Sequence, residues 1–520
     1  MKSSSTPKPK VIDHDLHPTG WRTDKAEERF KLSLFDPIIL VVYCHFALYF
    51  RLDQDDTAQR RDEVADVLKE GLEKTLSQVR HLCGTIETDA AGGFSFVKKR
   101  DTTVRYVVKH LDNPARYPSI DDLEAAAFSC RSLGPDAAAF AVEGMPYGEN
   151  RPESSPYNSP ATSGFQLNFV RGGAVFSSHV HHWAADLVGW SNFVRQLADN
   201  CRAIQAARRT GAHGHVRPAV DWPHWDPACI DVSRFVWSAA PQQLVDGPPV
   251  VPPHPDHPRE QQALLFHLPK SKEAALKAAA QPPQDAGAGP SWVSTYDAMC
   301  AFVWRALTRV RFPYYKPSAD ETRWFGESVD MRGRFRDPTP PPPRMIRNML
   351  AGGFSDTAPG VPLPTLGEIA GLQGLGNVKG RELWRLARYV RRLTDSVTQA
   401  SVEQVLGYIA TLRDQQSVSF NLASKPPMSF FVTDHRPADV TGCDFGFGRP
   451  LAHRFLTGSS VSPNMILVYP PARSEKSTGG GGGRGGDEGT IWSITVEKDL
   501  VSRLLADPEW CEYFEYKGVD

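Results

Sequence analysis

The chain has 520 residues, 41% of them hydrophobic and 23% charged, a globular composition too long for one ordinary core, so two domains are expected. Lys and Arg (59) balance Asp and Glu (60), which excludes a global basic field for nucleic acid. The eight cysteines, at 44, 83, 130, 201, 229, 300, 443 and 511, form no CxxC pair, so neither a zinc knuckle nor a disulfide framework is indicated and reduced cytosolic thiols are expected.

Residues 1–20 are polar and proline-rich without an apolar signal core, and residues 1–30 read as a flexible arm. The apolar run 38–50 contains His45, is too short for a bilayer and reads as a buried strand. Residues 63–79 place Val64, Val67, Leu68, Leu72, Leu76 and Val79 at helical spacing. Residues 165–170 and 174–182 are apolar and β-rich, joined by Arg171-Gly172-Gly173, the pattern of a hairpin. From Trp190 onward, Phe193, Val194, Leu197, Cys201 and Ile204 repeat near 3.6, so a helix packed by one face follows.

Between hairpin and helix stands Ser178-His179-Val180-His181-His182-Trp183-Ala184-Ala185-Asp186. His182 precedes Asp186 by four residues at a strand-to-helix corner, where an imidazole is rigidly held and still reaches a substrate, as a general base requires. Asp186 is placed either to orient that ring or to brace the loop by pairing with an arginine. Side-chain alternation sends His179 and His181 to one face and His182 to the other, and no partner cluster has zinc spacing, so no metal is expected. There is no Gly-x-Ser-x-Gly elbow and no cysteine beside the motif, which favours direct transfer over a covalent intermediate.

Seven prolines between 241 and 258 mark a linker or crossover, and a second run spans 338–343. The glycine-rich stretch 478–489 reads as a disordered loop; it lacks the Lys-Ser/Thr ending of a phosphate-binding loop. Further signals are a capped helix start at Ser294-Thr295-Tyr296-Asp297, and Ser328-Val329-Asp330-Met331-Arg332-Gly333-Arg334 followed, after prolines, by Arg347-Asn348. Then come Phe431-Val432-Thr433-Asp434-His435-Arg436, Asp444-Phe445-Gly446-Phe447-Gly448-Arg449-Pro450, and a terminal helix ending near Trp510.

In this order, from about residue 34 to 510, these stretches resemble the BAHD acyltransferases of the chloramphenicol-acetyltransferase-like superfamily, closest to the fungal branch with trichothecene 3-O-acetyltransferases. The resemblance implies an α/β fold of two such domains, each a mixed sheet with helices: 31–235 with the HxxxD motif, a proline-rich crossover at 236–262, and 263–520, with part of about 430–455 returning to the first domain. It implies a channel between the halves, open at both ends, and a monomer. It implies an enzyme moving an acyl group, acetyl by default, from acyl-CoA to a hydroxyl of a small secondary metabolite; an amine acceptor is also open. The cysteines, the charge balance and the lack of a long apolar run add the expectation of a cytoplasmic protein with no membrane span and no nucleic-acid partner.

By the same resemblance His182 is the base, Asp186 shapes the site through a salt bridge with Arg332, and Asp444, Phe445, Gly446 and Gly448 are structural. Thr433 falls where the family has a Thr-x-Trp that stabilises the tetrahedral oxyanion. Lys270, Lys272, Arg334 and Arg449 are candidates for the CoA phosphates. Three departures stand out: Leu187 where Gly usually follows the aspartate, Phe447 for Trp, and His435 for the Trp of Thr-x-Trp. His435 either donates to the oxyanion, which requires the correct tautomer, or fills the Trp space. Two rivals are a free-standing condensation domain fed by a carrier protein, against which the Asp444–Gly448 segment argues, and a non-acylating binding protein or cyclase on the same fold.

Overall fold

The computed structural model describes residues 9–52, 56–89, 93–135, 137–210, 222–236, 241–256, 260–284, 290–358, 360–371, 383–458, 460–473 and 487–520. The chain divides into two compact units. The first comprises 1–238, 341–348 and 438–460; the second comprises 239–340, 349–437 and 461–520.

In chain order the strands are β1 (Lys10–Leu16), β2 (Glu27–Lys31), β3 (Tyr43–Arg51), β4 (Thr85–Thr88), β5 (Phe94–Lys99), β6 (Val104–His110), β7 (Ser163–Val170), β8 (Gly173–His181), β9 (Gln261–Pro269), β10 (Phe325–Asp330), β11 (Leu350–Phe354), β12 (Phe430–Asp434), β13 (Ala452–Phe455), β14 (Met465–Tyr469), β15 (Gly489–Glu497) and β16 (Glu515–Val519). The first unit holds a mixed sheet of order β1-β6-β7-β8-β3-β13 and a small sheet β2-β5-β4. The second holds a sheet of order β11-β10-β12-β14-β15-β9-β16.

In the first unit, β7 and β8 form the hairpin, closed by Arg171 and Gly172, with Val170 opposite Gly173. Gly172 takes φ +75°, a left-handed conformation that glycine adopts without a Cβ penalty. β3 lies antiparallel to β8, setting His45 opposite His179 and Tyr43 opposite His181. Helices α1 (Ala58–Gln78), α2 (Ile120–Ala125) and α3 (Leu187–Arg209) belong to this unit. α1 opens on Thr57, which accepts a bond from the Arg60 amide, and buries Val64, Val67, Leu68, Leu72 and Leu76. α1 and α3 approach so closely that a Cβ at Gly71 would sit 2.3 Å from Cys201 Sγ.

Residues 1–8 of the flexible arm expected at 1–30 lie outside the described residues; the rest is corrected, since β1 pairs with β6 along its whole length and β2 pairs with β5. Its polar residues alternate on edge strands that expose one face to water, so no hydrophobic pattern marked them. The strand expected at 38–50 begins at Tyr43.

The second unit is built on helices α4 (Lys270–Ala279), α5 (Thr295–Tyr315), α6 (Leu366–Ala370) and α7 (Leu383–Ser396). α5 starts with a capping box between Ser294 and Asp297 and buries almost its full circumference from Asp297 to Thr308. Its residues Met299, Phe302, Val303 and Trp304 join Phe266, Phe325, Trp492 and Trp510 in one core. The glycine-rich stretch lies outside the described residues as far as 486, and Gly489 opens β15. Among the described residues no helix is long and apolar enough to cross a membrane.

Candidate active site

β8 ends at His181, and α3 begins at Leu187. Residues 182–186 therefore turn from strand to helix, and most polar backbone groups of that turn are tied down. The His182 amide donates to Val42 O at 2.9 Å, and the Ala184 amide to His181 O at 2.8 Å. Three successive carbonyls accept side-chain donors. Asn348 Nδ2 bonds His182 O at 3.0 Å and Trp183 O at 2.7 Å, and His81 Nε2 lies 3.0 Å from Ala184 O. Trp183 is buried and donates Nε1–H to Ile39 O.

Asp186 caps α3: its Oδ1 accepts the Gly189 amide at 2.7 Å. Gly189 is required by proximity, since a Cβ there would lie 1.9 Å from Ile346 O. The segment before Asn348 braces the same helix start, with Asn192 Nδ2 bonded to Met345 O at 3.0 Å.

Within this frame His182 is half-buried, with its Nδ1 atom fully buried. Burial lowers the imidazole pKa below its usual value, while the His182 backbone, the Asp186 charge and the Ala185 backbone pull it back up. The ring is therefore neutral at pH 7 and able to accept a proton.

The other two histidines of the run face a different environment. The Val142 amide donates to His179 Nε2 at 3.2 Å, so His179 carries its proton on Nδ1. That proton bridges to His45 Nδ1 at 2.7 Å, leaving His45 Nε2 to donate to Pro146 O at 3.2 Å. His181 accepts the Trp183 amide on Nδ1 and so donates from Nε2 to Ser154 O at 2.9 Å. Burial brings His45 and His181 down to about 4 and His179 well below its ordinary value. These rings are neutral, mutually satisfied parts of the interior. Among the described residues no group of His, Cys, Asp and Glu is arranged to hold a metal.

A buried ion pair stands behind the turn. Asp36 Oδ2 accepts Arg347 Nη2 and the Ser33 amide, each at 2.7 Å, while its Oδ1 accepts Asn348 Nδ2 at 2.9 Å. Asp36, Arg347 and Asn348 are all at most 1% exposed. Arg347-Asn348 was visible in the sequence as a pair following the prolines, but nothing local linked it to Asp36, His81 or the histidine turn.

The segment around Asp444 sits at the other end of α3. Asp444 Oδ1 accepts the Gly446 amide at 2.8 Å, and the Phe445 amide bonds Gly448 O at 3.0 Å. Gly446 has φ +82°, and a Cβ there would lie 2.7 Å from Gln205 Cβ on α3. Its carbonyl accepts Arg209 Nη2, and the Phe447 carbonyl accepts Arg60 Nη2. Phe445 and Phe447 pack on Phe50 with ring centroids 5.2 and 5.4 Å away. Arg449, half-exposed, lies 3.9 Å from Asp444. A few residues on, β13 pairs with β3.

The remaining residues belong to the second unit. Thr433 lies on β12, half-buried and opposite Leu467 of β14. His435 follows that strand, its amide bonded to Val468 O at 2.7 Å and its buried ring set edge-on to Tyr469. Arg332 Nη1 pairs with Asp330 Oδ1 at 2.7 Å. Arg334 Nη1 donates to the carbonyls of Thr394 and Val397 at the end of α7. Lys270 is exposed and Lys272 half-exposed at the start of α4. His182, Asp186 and the Asp444 segment thus share one unit, while Thr433, His435, Arg332, Arg334, Lys270 and Lys272 share the other.

Residues 42–201 match the trichothecene 3-O-acetyltransferase-like N-terminal domain. The chain is 43% identical over 516 residues to acetyltransferase FGR3 of Gibberella zeae, covering 98% of this chain and 95% of that protein. The chain belongs to the fungal BAHD-type acetyltransferases. Trichothecene 3-O-acetyltransferase TRI101 of Fusarium sporotrichioides is a more distant member, 24% identical over 93% of this chain and 95% of its own. The structure of F. graminearum TRI101 complexed with ethyl coenzyme A superposes with a TM-score of 0.70 at 20% identity, over 95% of this chain and 100% of that one. Vinorine synthase gives 0.62 at 15% identity, over 98% of this chain and 99% of that one. This BAHD-type chain is therefore an acyltransferase with the α/β, two-domain chloramphenicol-acetyltransferase-like fold.

Proposed function

We propose that this acyltransferase moves an acetyl group from acetyl-CoA to a hydroxyl of a small secondary metabolite in one direct step, with His182 as general base. The observation that carries this reading is the half-buried, neutral imidazole on a turn whose first three carbonyls are held by side-chain donors. In the step, His182 takes the hydroxyl proton while the hydroxyl oxygen bonds to the thioester carbonyl carbon. The tetrahedral oxyanion collapses, the C–S bond breaks, and the imidazolium returns its proton to the CoA thiolate. The products are the ester and free CoA, and the base is regenerated.

Thr433 and His435 are assigned to the oxyanion, and Arg332 to the charge of Asp186. A preorganised donor to an oxyanion is worth about 3–4 kcal/mol. Lys270, Lys272 and Arg449 are assigned to the CoA phosphates; Arg334, already donating to two carbonyls, is the weakest of that group. The relatives support the acceptor class: TRI101 is named for the 3-hydroxyl of trichothecenes, and two further relatives from Penicillium are named eremophilane O-acetyltransferases. The cytoplasm suits eight cysteines that form no disulfide among the described residues.

The test is incubation of the purified protein with isotopically labelled acetyl-CoA and a panel of hydroxylated sesquiterpenoids, read by mass spectrometry. A labelled ester and stoichiometric CoA release are expected. Labelled product from a carrier-protein thioester alone would install the condensation-domain reading instead, and no acyl transfer from either donor would leave the binding-protein reading.

A further inference from the structure

We propose that Asn348 is a positioning residue for His182 and that, with His81, it fixes the turn carrying the base by holding three consecutive carbonyls. The inference rests on the reading of His182 as base and adds the device that sets its geometry.

A side-chain amide has two N–H protons. Asn348 Nδ2 lies within hydrogen-bond distance of three acceptors: His182 O, Trp183 O and Asp36 Oδ1. One proton is therefore shared. The orientation of the amide is dictated, because turning it over would press its oxygen against three other oxygens. Asn348 Oδ1, on the far side, is buried and has no hydrogen-bond partner among the described residues. A buried carbonyl without a partner is costly, and the fold tolerates it while the nitrogen serves the turn.

Asp36 keeps the amide turned this way. Its Oδ1 accepts Asn348 Nδ2 while its Oδ2 is occupied by Arg347 and the Ser33 amide; burial raises its pKa, and the Arg347 charge and the Asn348 and Ser33 bonds oppose that rise. His81 grips the next carbonyl from elsewhere in the unit. Because Ala184 O can only accept, His81 must carry its proton on Nε2. Burial, reinforced by the Arg347 charge, holds His81 well below its usual pKa, so it remains a neutral donor.

The hydrogen bonds described at the carbonyls of 182–184 come from Asn348 and His81, and the imidazole inherits its position from that backbone. A displacement of about 1 Å in a reacting group costs roughly 100-fold in rate. Asn348 touches no reacting atom in this account; it acts through the His182 main chain.

The experiment compares Asn348→Ala, Asn348→Asp, His81→Phe and His81→Gln with the parent and with His182→Ala. Folded fraction, acetyl-CoA affinity by calorimetry, kcat and KM are measured. Both Asn348 variants should lower kcat by about 10–100-fold per folded molecule with acetyl-CoA affinity unchanged. Asn348→Asp, equal in size, loses both N–H donors and keeps at most one O–H, so it should not regain the parent's kcat. His81→Phe should lose kcat, and His81→Gln, which keeps an N–H donor, should recover most of it. Kcat per folded molecule equal to the parent's in Asn348→Asp, or His81→Phe matching His81→Gln, overturns the proposal. If the Asn348 variants fail to fold, the His81 pair decides alone. Retained turnover in His182→Ala would sink the base assignment itself, a result distinguishable from failure of the clamp.

Discussion

The two ends of α3 carry the two segments that stood out in the sequence, and they are built from opposite materials. At the N-terminal end, Asp186 caps the helix, and the preceding turn is held by donors from Asn348 and His81 around a half-buried imidazole. Toward the C-terminal end, the Asp444–Gly448 segment presses Gly446 against Gln205 and seats two phenyl rings on Phe50. One end is a polar frame that leaves a reactive group reachable. The other is an aromatic wedge whose Gly446 carbonyl bonds Arg209 of α3 and whose Phe447 carbonyl bonds Arg60 of α1. Prominence in the sequence therefore reports constraint and does not distinguish chemistry from packing; the neighbouring atoms do.

Breaking the comparison at its reactive end should have the largest effect. His182→Ala removes the base, and turnover should fall about 10²–10⁴-fold while the thermal midpoint barely moves. Steady-state kinetics beside a melting curve checks this. At the packing end the signature inverts. Phe445 is fully buried, and Phe445→Ala should cost about 3–5 kcal/mol in denaturant unfolding while kcat per folded molecule stays close to the parent's. A kcat loss without a stability loss there would erase the distinction between the two ends.

The neutral histidines beneath the turn sharpen the contrast through pH. His45 and His181 sit near 4 in the fold against about 6.5 when unfolded, so the unfolded chain binds more protons between those values. Stability is full above pH 6.5 and declines as pH falls toward 4, by about 2–3 kcal/mol for each ring. Unfolding free energies across that range should show the decline, and His45→Gln should make it shallower. The smallest effect is expected from Asp444→Ala. It removes one side-chain bond to the Gly446 amide at a partly exposed site and should cost about 1 kcal/mol without touching turnover.

Much of the reactive end was legible. The β7–β8 hairpin, the corner after His181 and the helix beyond it followed from alternation, a glycine turn and a 3.6-residue repeat. Those are local signals, and local physics is what periodicity records. The support behind His182 was not legible. Asn348 lies 166 positions from His182 and 312 from Asp36, and no periodicity encodes a partner at such distance. The edge strands β1 and β2 look like an arm in sequence because their side chains are largely polar and exposed. The cap formed by Asp186 on Gly189 shows a further reason: the residue was read for its charge, while its most local role is a hydrogen bond at a helix start.

The most direct test of a neutral imidazole as the base is the pH dependence of kcat/KM for the parent enzyme with saturating acetyl-CoA. Because burial lowers the His182 pKa, the acid limb should fall below pH 6.5, with activity flat from there to pH 8. An acid limb centred above 6.5, or no acid limb at all, would contradict the account.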